Sequence, residues 1–354
     1  MVAKNRINQK SIHKFTKLIQ QTQTLTNWQD LIFNINSEND FQHSALKIFA
    51  FQYKNNPVYR KWCDLLNITS SGVKSVHEIP FLPINFFKHH KIISGHDSDK
   101  ATLFASSSTT SQIPSRHFVS DIKIYEKSFL EGFKKVYGEI DQYCILALLP
   151  GYLERKNSSL VYMCNRLIND SKHPLSGFFL NNVDALIDNI TELKKKKQKT
   201  ILVGVSYALM DLADKEIHLD ENFIAMETGG MKGTRKELLK SELHEYLKKG
   251  FDIKTIHSEY GMTELLSQAY SIGEGKFIAP PWMSFLIRDI TDPLTIRSDH
   301  KTGGINVIDL ANINSCSFIA TQDLGRLDNN NQLELMGRYD NSDIRGCNLM
   351  IEPN

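Results

Sequence analysis

The spacing of apolar residues changes at about residue 75. In the first 75 positions, apolar residues recur at helical spacing in the stretches 12–19, 28–35 and 41–53. This pattern predicts a helical N-terminal cap over residues 1–75. The next stretch, residues 79–88, contains Pro80 and Pro83. Because proline breaks helices and restricts the residue before it, we expect an extended apolar segment there.

From residue 121 onward, helical and strand patterns alternate. The pattern predicts helices at 122–136, 158–168, 207–213 and 235–249, and strands at 143–149, 200–205, 222–226, 285–287, 305–310, 317–321 and 333–336. Such alternation is typical of an α/β fold with a mainly parallel sheet. We therefore expect three parts: the cap at 1–75, an α/β core at 76–336 and a tail at 337–354.

The stretch 257–264 combines side chains that suit a nucleotide and a hard cation. It follows a β-rich run at 251–256 and precedes a helix-compatible run at 265–270, which predicts a strand-to-helix turn at a sheet edge. Glycine lets the backbone approach a ligand closely, and carboxylates bind hard cations. The alternative is an ordinary polar connection with a buried tyrosine. The chemistry-bearing residues are Glu259, Tyr260, Gly261, Thr263 and Glu264.

Six consecutive hydroxyl residues form a second polar segment, and Arg116 follows them closely. Such a run makes a poor helix and offers side-chain and backbone donors in one loop, which suits phosphate oxygens. The alternative is a flexible serine linker. The run consists of Ser106, Ser107, Ser108, Thr109, Thr110 and Ser111.

A glycine-rich turn lies at residues 227–233, between a predicted strand and a predicted helix. Gly229, Gly230 and Gly233 would let the backbone lie flat against a ligand near the amides of a helix N-terminus. The alternative is a tight turn without a ligand. The sequence contains no P-loop and no complete dinucleotide-binding fingerprint.

Residues 204–208 come close to the nucleophile elbow of serine hydrolases. Ser206 follows Gly204 at the required spacing, but Ala208 replaces the second glycine. Asp289 and His300 would complete the order of a hydrolytic triad. The simpler alternative, which we favour, is a helix that starts at a serine cap.

Composition excludes several classes of protein. The 42 Lys and Arg balance 40 Asp and Glu, and the one basic run, 194–197, ends a predicted helix, which argues against nucleic-acid binding. No apolar run reaches the roughly 18 residues of a membrane span, and the N-terminus lacks a signal-peptide core, so we expect a cytoplasmic protein. Five cysteines without paired spacing argue against a disulfide framework or a zinc knuckle.

Taken in order, these motifs resemble the acyl-protein synthetases (LuxE-like) of the adenylate-forming (ANL) superfamily, whose relatives include phenylacetate-CoA ligases. The resemblance spans about residues 79–350, and its specific parts are the paired prolines, E-T-G-G-M-K-G, H-S-E-Y-G-M-T-E and R-G-C-N-L-M. It implies the large-domain fold of adenylate-forming enzymes: two mixed sheets layered with helices, a helical N-terminal cap and no C-terminal lysine domain.

The resemblance also implies a role for each motif in binding ATP and Mg²⁺. The hydroxyl loop, Ser106 to Thr110, would hold the phosphates, while Thr263 and Glu264 would bind the α-phosphate and Mg²⁺. Around adenine it places Gly229, Gly230 and the Tyr260-Gly261 pair. Asp323, expected at a strand end, would accept from the ribose hydroxyls, and Arg338 would lie near the ribose or the phosphates.

The implied function is ATP-dependent activation of a carboxylic acid, expected to be a fatty acid, with transfer to a protein cysteine. Members of the family are acylated on a cysteine near the C-terminus, and Cys347 matches that position. Arg345 would favour its thiolate and Gly346 would let the backbone bend. The alternative for Cys347 is a structural thiol. An acyl reductase or another acyl-accepting protein would be the partner.

Two departures from the family pattern leave other functions open. The phosphate loop has Ser108 and Ser111 where the family has glycines, roughly S-S-G-T-T-G, and the sequence ends shortly after the hinge motif. Serine restricts the backbone more than glycine and crowds the phosphates. The alternatives are therefore an acyl-CoA or aryl-CoA ligase, or a degenerate scaffold that binds a nucleotide or acyl chain without turnover.

Overall fold

The computed structural model describes residues 27–95, 101–106, 113–149, 157–179, 182–229 and 238–339. Its first three helices are α1 (Trp28–Phe33), α2 (Glu38–Asn55) and α3 (Pro57–Leu65). Each begins at a polar cap: Asn27, Ser37 and Asn56 accept a hydrogen bond from an amide in the first turn. The predicted helices at 28–35 and 41–53 are confirmed, while 12–19 lies outside the described residues. The boundary of the cap at residue 75 stays a prediction.

In the proline segment Ile79 is extended and residues 82–83 form a strand, but the prediction for 79–88 was wrong from Phe86 onward, where the chain is helical. Strand β1 (Leu82–Pro83) is followed at once by the short helix α4 (Phe86–His89). Proline restricts the residue before it but not the residues after it, so a helix can begin three positions beyond Pro83. Beyond it, β2 (Thr102–Ala105) and β3 (Arg116–Val119) form an antiparallel pair on either side of the hydroxyl loop.

The first large sheet is mainly parallel, as predicted. Its strand order is β5-β4-β6-β7-β8-β9, and the last strand is antiparallel to the others. Every residue of β4 and β6 is buried, because helices cover both faces of the sheet. The strands are β4 (Cys144–Leu148), β5 (Gly177–Phe178), β6 (Thr200–Val205), β7 (Phe223–Thr228), β8 (His257–Tyr260) and β9 (Ala269–Ser271).

Helices connect these strands. They are α5 (Ile122–Tyr137), α6 (Ser159–Ser171), α7 (Val183–Lys196), α8 (Ser206–Ala213) and α9 (Lys240–Phe251). The helices predicted at 122–136, 158–168 and 207–213 are confirmed. The last helix is shorter than predicted within the described residues, where it begins at Lys240, and it extends to Phe251, so the run 251–256 does not form a strand.

The second large sheet is almost entirely antiparallel. Its order is β10-β15-β14-β13-β11-β12, and β1 adds a parallel pairing to β14. Two sheets, each with both strand orientations, confirm the predicted architecture of two mixed sheets layered with helices. The strands are β10 (Lys276–Phe277), β11 (Met283–Arg288), β12 (Ile296–Arg297), β13 (Gly303–Asp309), β14 (Phe318–Leu327) and β15 (Leu333–Arg338).

The N-terminal helices contact the second sheet through buried polar side chains. Gln52 donates to the carbonyl oxygens of Asn312 at 3.1 Å and Ile313 at 2.9 Å, and Asn56 donates to that of Ser315 at 2.9 Å. These bonds satisfy backbone oxygens that have no strand partner. The helices therefore support the connection between β13 and β14.

The helices and the cysteines bear on the predictions of membrane spans and disulfides. Among the described residues, the helices include none with both the length and the apolar character that a bilayer crossing requires. The four cysteines in this part of the chain are free and buried. They are Cys63, Cys144, Cys164 and Cys316.

Candidate functional site

Strand β8 ends at Tyr260 and leads into the turn that carries Thr263 and Glu264. The prediction of a strand-to-helix turn was wrong, because the chain returns as strand β9, antiparallel to β8, and Tyr260 pairs with Ala269. A long-range contact explains this. Asp309 accepts from the backbone amides of Leu266 at 2.7 Å and Ser267 at 3.0 Å, so these amides are bound outside any helix.

Tyr260, Asp323 and Arg338 come together where the two large sheets meet. The Tyr260 hydroxyl donates to Asp323 Oδ2 at 2.9 Å, and Arg338 Nε lies 3.3 Å from Asp323 Oδ1. Burial and the Asp323 carboxylate raise the pKa of Tyr260 well above its ordinary value. The hydroxyl therefore stays protonated and donates. A carboxylate has lone pairs beyond these two contacts, so Asp323 can also accept from two ribose hydroxyls.

Asp323 lies inside β14, whereas the sequence predicted a strand end. The strand continues to Leu327, and its register with β15 shifts between Leu324 and Gly325. Asp323 is opposite Arg338 just before this bulge. A bulge bends a strand locally and redirects its side chains, so the strand can continue past Asp323 to Leu327.

The aromatic ring of Tyr260 is packed more tightly than the resemblance implied. It makes edge contacts with Phe277 and Phe285, at centroid distances of 5.9 and 5.8 Å, and is 6% exposed. These contacts fix the ring orientation and bury most of the ring surface, while the hydroxyl orients Asp323. The contact of Tyr260 with adenine stays a prediction.

Glu264 is a buried carboxyl group in the turn after Tyr260. Burial raises its pKa, whereas a hydrogen bond from Ser115 and the positive charge of Arg338 lower it. The sequence had indicated Glu264 as a Mg²⁺ ligand. No group of three or more His, Cys, Asp or Glu that could hold a metal lies within the described ranges. Mg²⁺ often takes only one or two carboxylates together with substrate phosphates, and Glu264 fits that requirement.

His117 and Asn312 hold the backbone of the same turn, and sequence analysis had assigned neither. His117 Nδ1 lies 2.8 Å from the Thr263 carbonyl oxygen and its Nε2 lies 3.0 Å from Asn312 Oδ1. Asn312 Nδ2 in turn donates to the Glu264 carbonyl oxygen at 2.7 Å. Both ring nitrogens face acceptors, which favours a doubly protonated ring. Burial acts in the opposite direction and lowers the pKa of His117 to about 4.

Gly229 follows strand β7 with φ of +72°, and a β-carbon built there would meet no atom of the described residues within 4 Å. Its left-handed backbone favours glycine, which has no β-carbon. Ser206 supports the turn by donating to the Gly229 carbonyl oxygen at 2.9 Å.

These contacts account for Ser206 without hydrolase chemistry. Its other partner is Glu227 Oε2, at 3.4 Å. Asp289 instead accepts from Thr291 and Arg297, and His300 Nδ1 contacts the Leu327 carbonyl. The three residues of the supposed triad thus have separate partners, and the structure gives the hydrolase alternative no support.

A buried ion pair lies beneath the glycine turn. Lys240 Nζ is 2.6 Å from Glu227 Oε1 and 4.7 Å from the ring centre of Phe277, and His244 Nε2 is 3.6 Å from the same carboxylate oxygen. Burial raises the pKa of Glu227, but Lys240 together with hydrogen bonds from His244 and Ser258 lowers it to about 2. The pair fixes the start of α9 to the end of β7.

Glu259 lies on the other face of the same sheet, at the edge of an apolar cavity. Burial raises the pKa of Glu259 to about 7, against the hydrogen bond from Thr228, which lowers it. The cavity has a volume of about 20 Å³, close to what a single water molecule needs. Its lining includes Phe133, Leu160, Met163, Leu167, Val203 and Met226.

Gly261 leaves room for this carboxyl group. A β-carbon at Gly261 would lie 2.3 Å from Glu259 Oε1. Gly261→Ala should therefore destabilise the fold by about 1–3 kcal/mol, as overpacking of a buried site does. Urea denaturation measures the loss. Gly132→Ala is the matched control, because nothing lies within 4 Å of a β-carbon there, and in helix α5 alanine should stabilise by about 0.5–1 kcal/mol. Equal stability of the two variants would contradict the proposed crowding.

Ser106 is described, and its backbone amide donates to the Ser115 carbonyl at 3.0 Å. The remaining predicted site residues lie outside the described residues. They are Ser107, Ser108, Thr109, Thr110, Gly230 and Cys347.

The fold is that of the adenylate-forming ligases. A structure of 2-hydroxyisobutyryl-CoA ligase in complex with 2-HIB-AMP and CoA matches with a TM-score of 0.63 and 10% identity, over 86% of this chain and 70% of the ligase. ATP-bound MatB from Rhodopseudomonas palustris matches with a TM-score of 0.50 and 15% identity, over 67% of this chain and 47% of MatB. The chain thus spans about half the length of MatB.

Within this class, the sequence matches the acyl-protein synthetase family, LuxE, over residues 20–354, and the chain belongs to that family. A comparison with curated proteins finds no match.

Proposed function

We propose that the chain uses ATP and Mg²⁺ to convert a fatty acid into an acyl adenylate and then transfers the acyl group to a cysteine thiol. The observation that supports this most directly is the convergence of Tyr260, Asp323 and Arg338 beside the turn that carries Thr263 and Glu264. These residues come from β8, β14, β15 and a connecting turn, and their chemistry suits a ribose and phosphates.

In the first step, a carboxylate oxygen of the acid attacks the α-phosphorus of ATP. A carboxylate–phosphorus bond forms, the bond to the β-phosphate oxygen breaks, and pyrophosphate leaves. Both reactants are anions, so the step needs fixed positive charge and donors. Arg338 and the Thr263 hydroxyl would supply these, and Glu264 would hold Mg²⁺, which would neutralise phosphate charge when bound. Asp323 would orient the ribose.

In the second step, a thiolate attacks the acyl carbonyl carbon, a thioester forms and AMP leaves. We propose Cys347 as the acceptor, on the family resemblance and the thiolate chemistry of its neighbours Arg345 and Gly346. The four described cysteines are buried, and burial raises the pKa of the Cys164 and Cys316 thiols far above their ordinary range. These thiols are poor nucleophiles, which leaves Cys347 the better candidate. An acyl reductase would then take the acyl group.

Membership of the acyl-protein synthetase family supports a fatty acid as the substrate. The apolar cavity beside Glu259 has a volume of about 20 Å³, close to what a single water molecule needs, so it does not by itself accommodate an alkyl chain.

Cys347→Ala should separate the two steps. With ATP, Mg²⁺ and fatty acids of increasing length, both the wild type and the variant should show acid-dependent exchange of pyrophosphate into ATP. Only the wild type should retain a hydroxylamine-labile acyl label, because only it keeps the thiol. Cys316→Ala, which removes a buried thiol, serves as the matched control and should stay labelled.

The same assay tests the alternatives. Persistent label on Cys347→Ala would remove the acceptor role, and acylation of added CoA instead of protein would identify a CoA ligase. ATP binding without exchange for every acid would indicate a scaffold without turnover and would contradict the proposed enzyme activity.

A further inference from the structure

We propose that His117 and Asn312 are positioning residues that set the Thr263–Glu264 turn relative to the hydroxyl loop. This inference rests on the proposed acid-activating function and extends it to two residues outside the motifs that suggested that function. Neither residue is expected to touch a substrate. Their role is to fix the backbone from which the phosphate-binding side chains project.

The side chains of His117 and Asn312 bind consecutive backbone carbonyl groups of the turn. His117 Nδ1 is 2.8 Å from the Thr263 carbonyl oxygen, and Asn312 Nδ2 is 2.7 Å from that of Glu264. The pair is joined by a 3.0 Å contact between His117 Nε2 and Asn312 Oδ1. Fixing two successive carbonyls fixes two successive peptide planes. The α-carbon of Glu264 lies between these two planes, so the direction in which the Glu264 side chain leaves the backbone is fixed as well, and one of the two planes that flank Thr263 is fixed with it.

His117 and Asn312 are themselves held rigidly by their neighbours. Both residues are fully buried. The ring of Phe87 packs edge-on against the imidazole at 5.6 Å, and Gln52 donates to the Asn312 backbone carbonyl at 3.1 Å. A site is accurate when its supporting side chains have no freedom of their own. The contacts from α2 and α4 provide that restraint.

His117 belongs to strand β3, which follows the hydroxyl loop in the sequence. Ser106, the first residue of the loop, accepts from the Ser115 amide at 2.9 Å through its hydroxyl and donates to the Ser115 carbonyl at 3.0 Å. Ser115 in turn donates to the Glu264 carboxyl group, which lowers the pKa of that group. The short segment 115–117 therefore contacts Ser106, the Thr263 carbonyl and the Glu264 side chain. Two segments about 150 residues apart in sequence are held in a single arrangement.

The effect on the reaction follows from the geometry. A displacement of about 1 Å at a reacting centre can cost about 100-fold in rate. The nucleoside would be held by Tyr260, Asp323 and Arg338. Their hydrogen bonds run to one another, and not to His117 or Asn312. Loss of the positioning pair should therefore lower kcat for pyrophosphate exchange much more than it raises the KM for ATP.

Asn312→Ala tests this role, with Asn56→Ala as the matched control. Asn56 is also fully buried and also donates to a carbonyl of the β13–β14 connection, that of Ser315 at 2.9 Å, but it has no contact with the turn. Asn56 also caps helix α3, so Asn56→Ala should lose at least as much stability in urea as Asn312→Ala. Asn312→Ala should lose about 100-fold in kcat relative to Asn56→Ala. His117→Gln, which keeps one donor for the Thr263 carbonyl, should retain more activity than His117→Phe.

The exchange assay distinguishes failure of the positioning role from failure of the proposed acid activation. Exchange in the wild type, with equal losses in Asn312→Ala and Asn56→Ala, would overturn the positioning role alone. Equal activity of His117→Gln and His117→Phe would also count against it. Absence of exchange in the wild type with every acid would contradict the proposed function and the positioning role together.

Discussion

Glu264→Gln should lower pyrophosphate exchange about 100-fold or more, the size expected when one preorganised electrostatic group is lost. Glutamine has nearly the same size as glutamate but no charge, so it cannot neutralise Mg²⁺ beside the phosphates. Glu264 is 5% exposed and its carboxyl group accepts a hydrogen bond from Ser115, so the position of the side chain should survive the change. Exchange rates measured against Mg²⁺ concentration should also show a higher requirement for the metal.

Glu334→Gln is the control for this variant. Glu334 lies on β15, like Arg338, but four residues before it in the sequence. Its carboxylate binds Arg326 at 2.7 Å. Its loss should leave exchange and the Mg²⁺ requirement close to those of the wild type. Equal Mg²⁺ dependence in Glu264→Gln and the wild type would contradict the metal role of Glu264, even if the rate fell.

Much of the fold could be predicted from the sequence because the first large sheet is covered on both faces. Its strands are continuous apolar runs, and the helices between them are amphipathic. The prediction for 265–270 failed for the opposite reason. That stretch has a helical composition, but Asp309, more than 40 positions away, binds the amides of Leu266 and Ser267. A contact of such long range overrides local preference and leaves no local signal.

The candidate site divides in the same way. Tyr260, Asp323 and Arg338 were found because each belongs to a short motif shared with the family, and the structure brings them into direct contact. His117 and Asn312 were missed because nothing in the sequence pairs two residues 195 positions apart. One signal was present: alternation along the strand 116–119 places His117 on the same face as apolar Val119, where a polar side chain needs a partner.

Lys240→Met should destabilise the protein by about 3 kcal/mol at pH 7, because it leaves the buried carboxylate of Glu227 without its cation. Glu227 is 2% exposed, and the Lys240 ammonium lies 2.6 Å from it. The value is at the low end for a broken buried pair, since the Lys240 side chain is 25% exposed. Methionine retains the contact with Phe277, so the loss should reflect charge and not packing.

The stability difference between Lys240→Met and the wild type should depend on pH through the ionisation of Glu227. In the wild type the pKa of Glu227 is about 2, below its ordinary value of 4.5, so the stability it contributes is present above pH 4.5 and is lost as pH falls through 2. Without Lys240, burial should raise the pKa above 4.5, so the carboxylate costs stability at neutral pH and the cost disappears on protonation. Urea denaturation should therefore show the largest gap between Lys240→Met and the wild type at pH 7, and a smaller gap near pH 4.

The Glu227→Gln/Lys240→Met double variant isolates the cause. Replacing both members of the pair removes the unpaired charge, so most of the stability at pH 7 should return, as it does when buried pairs are replaced by neutral groups. A double variant as unstable as Lys240→Met would attribute the loss to packing around Phe277. Because the pair joins the end of β7 to the start of α9, Lys240→Met should also loosen the turn at Gly229. ATP binding should weaken in Lys240→Met and recover with stability in the double variant.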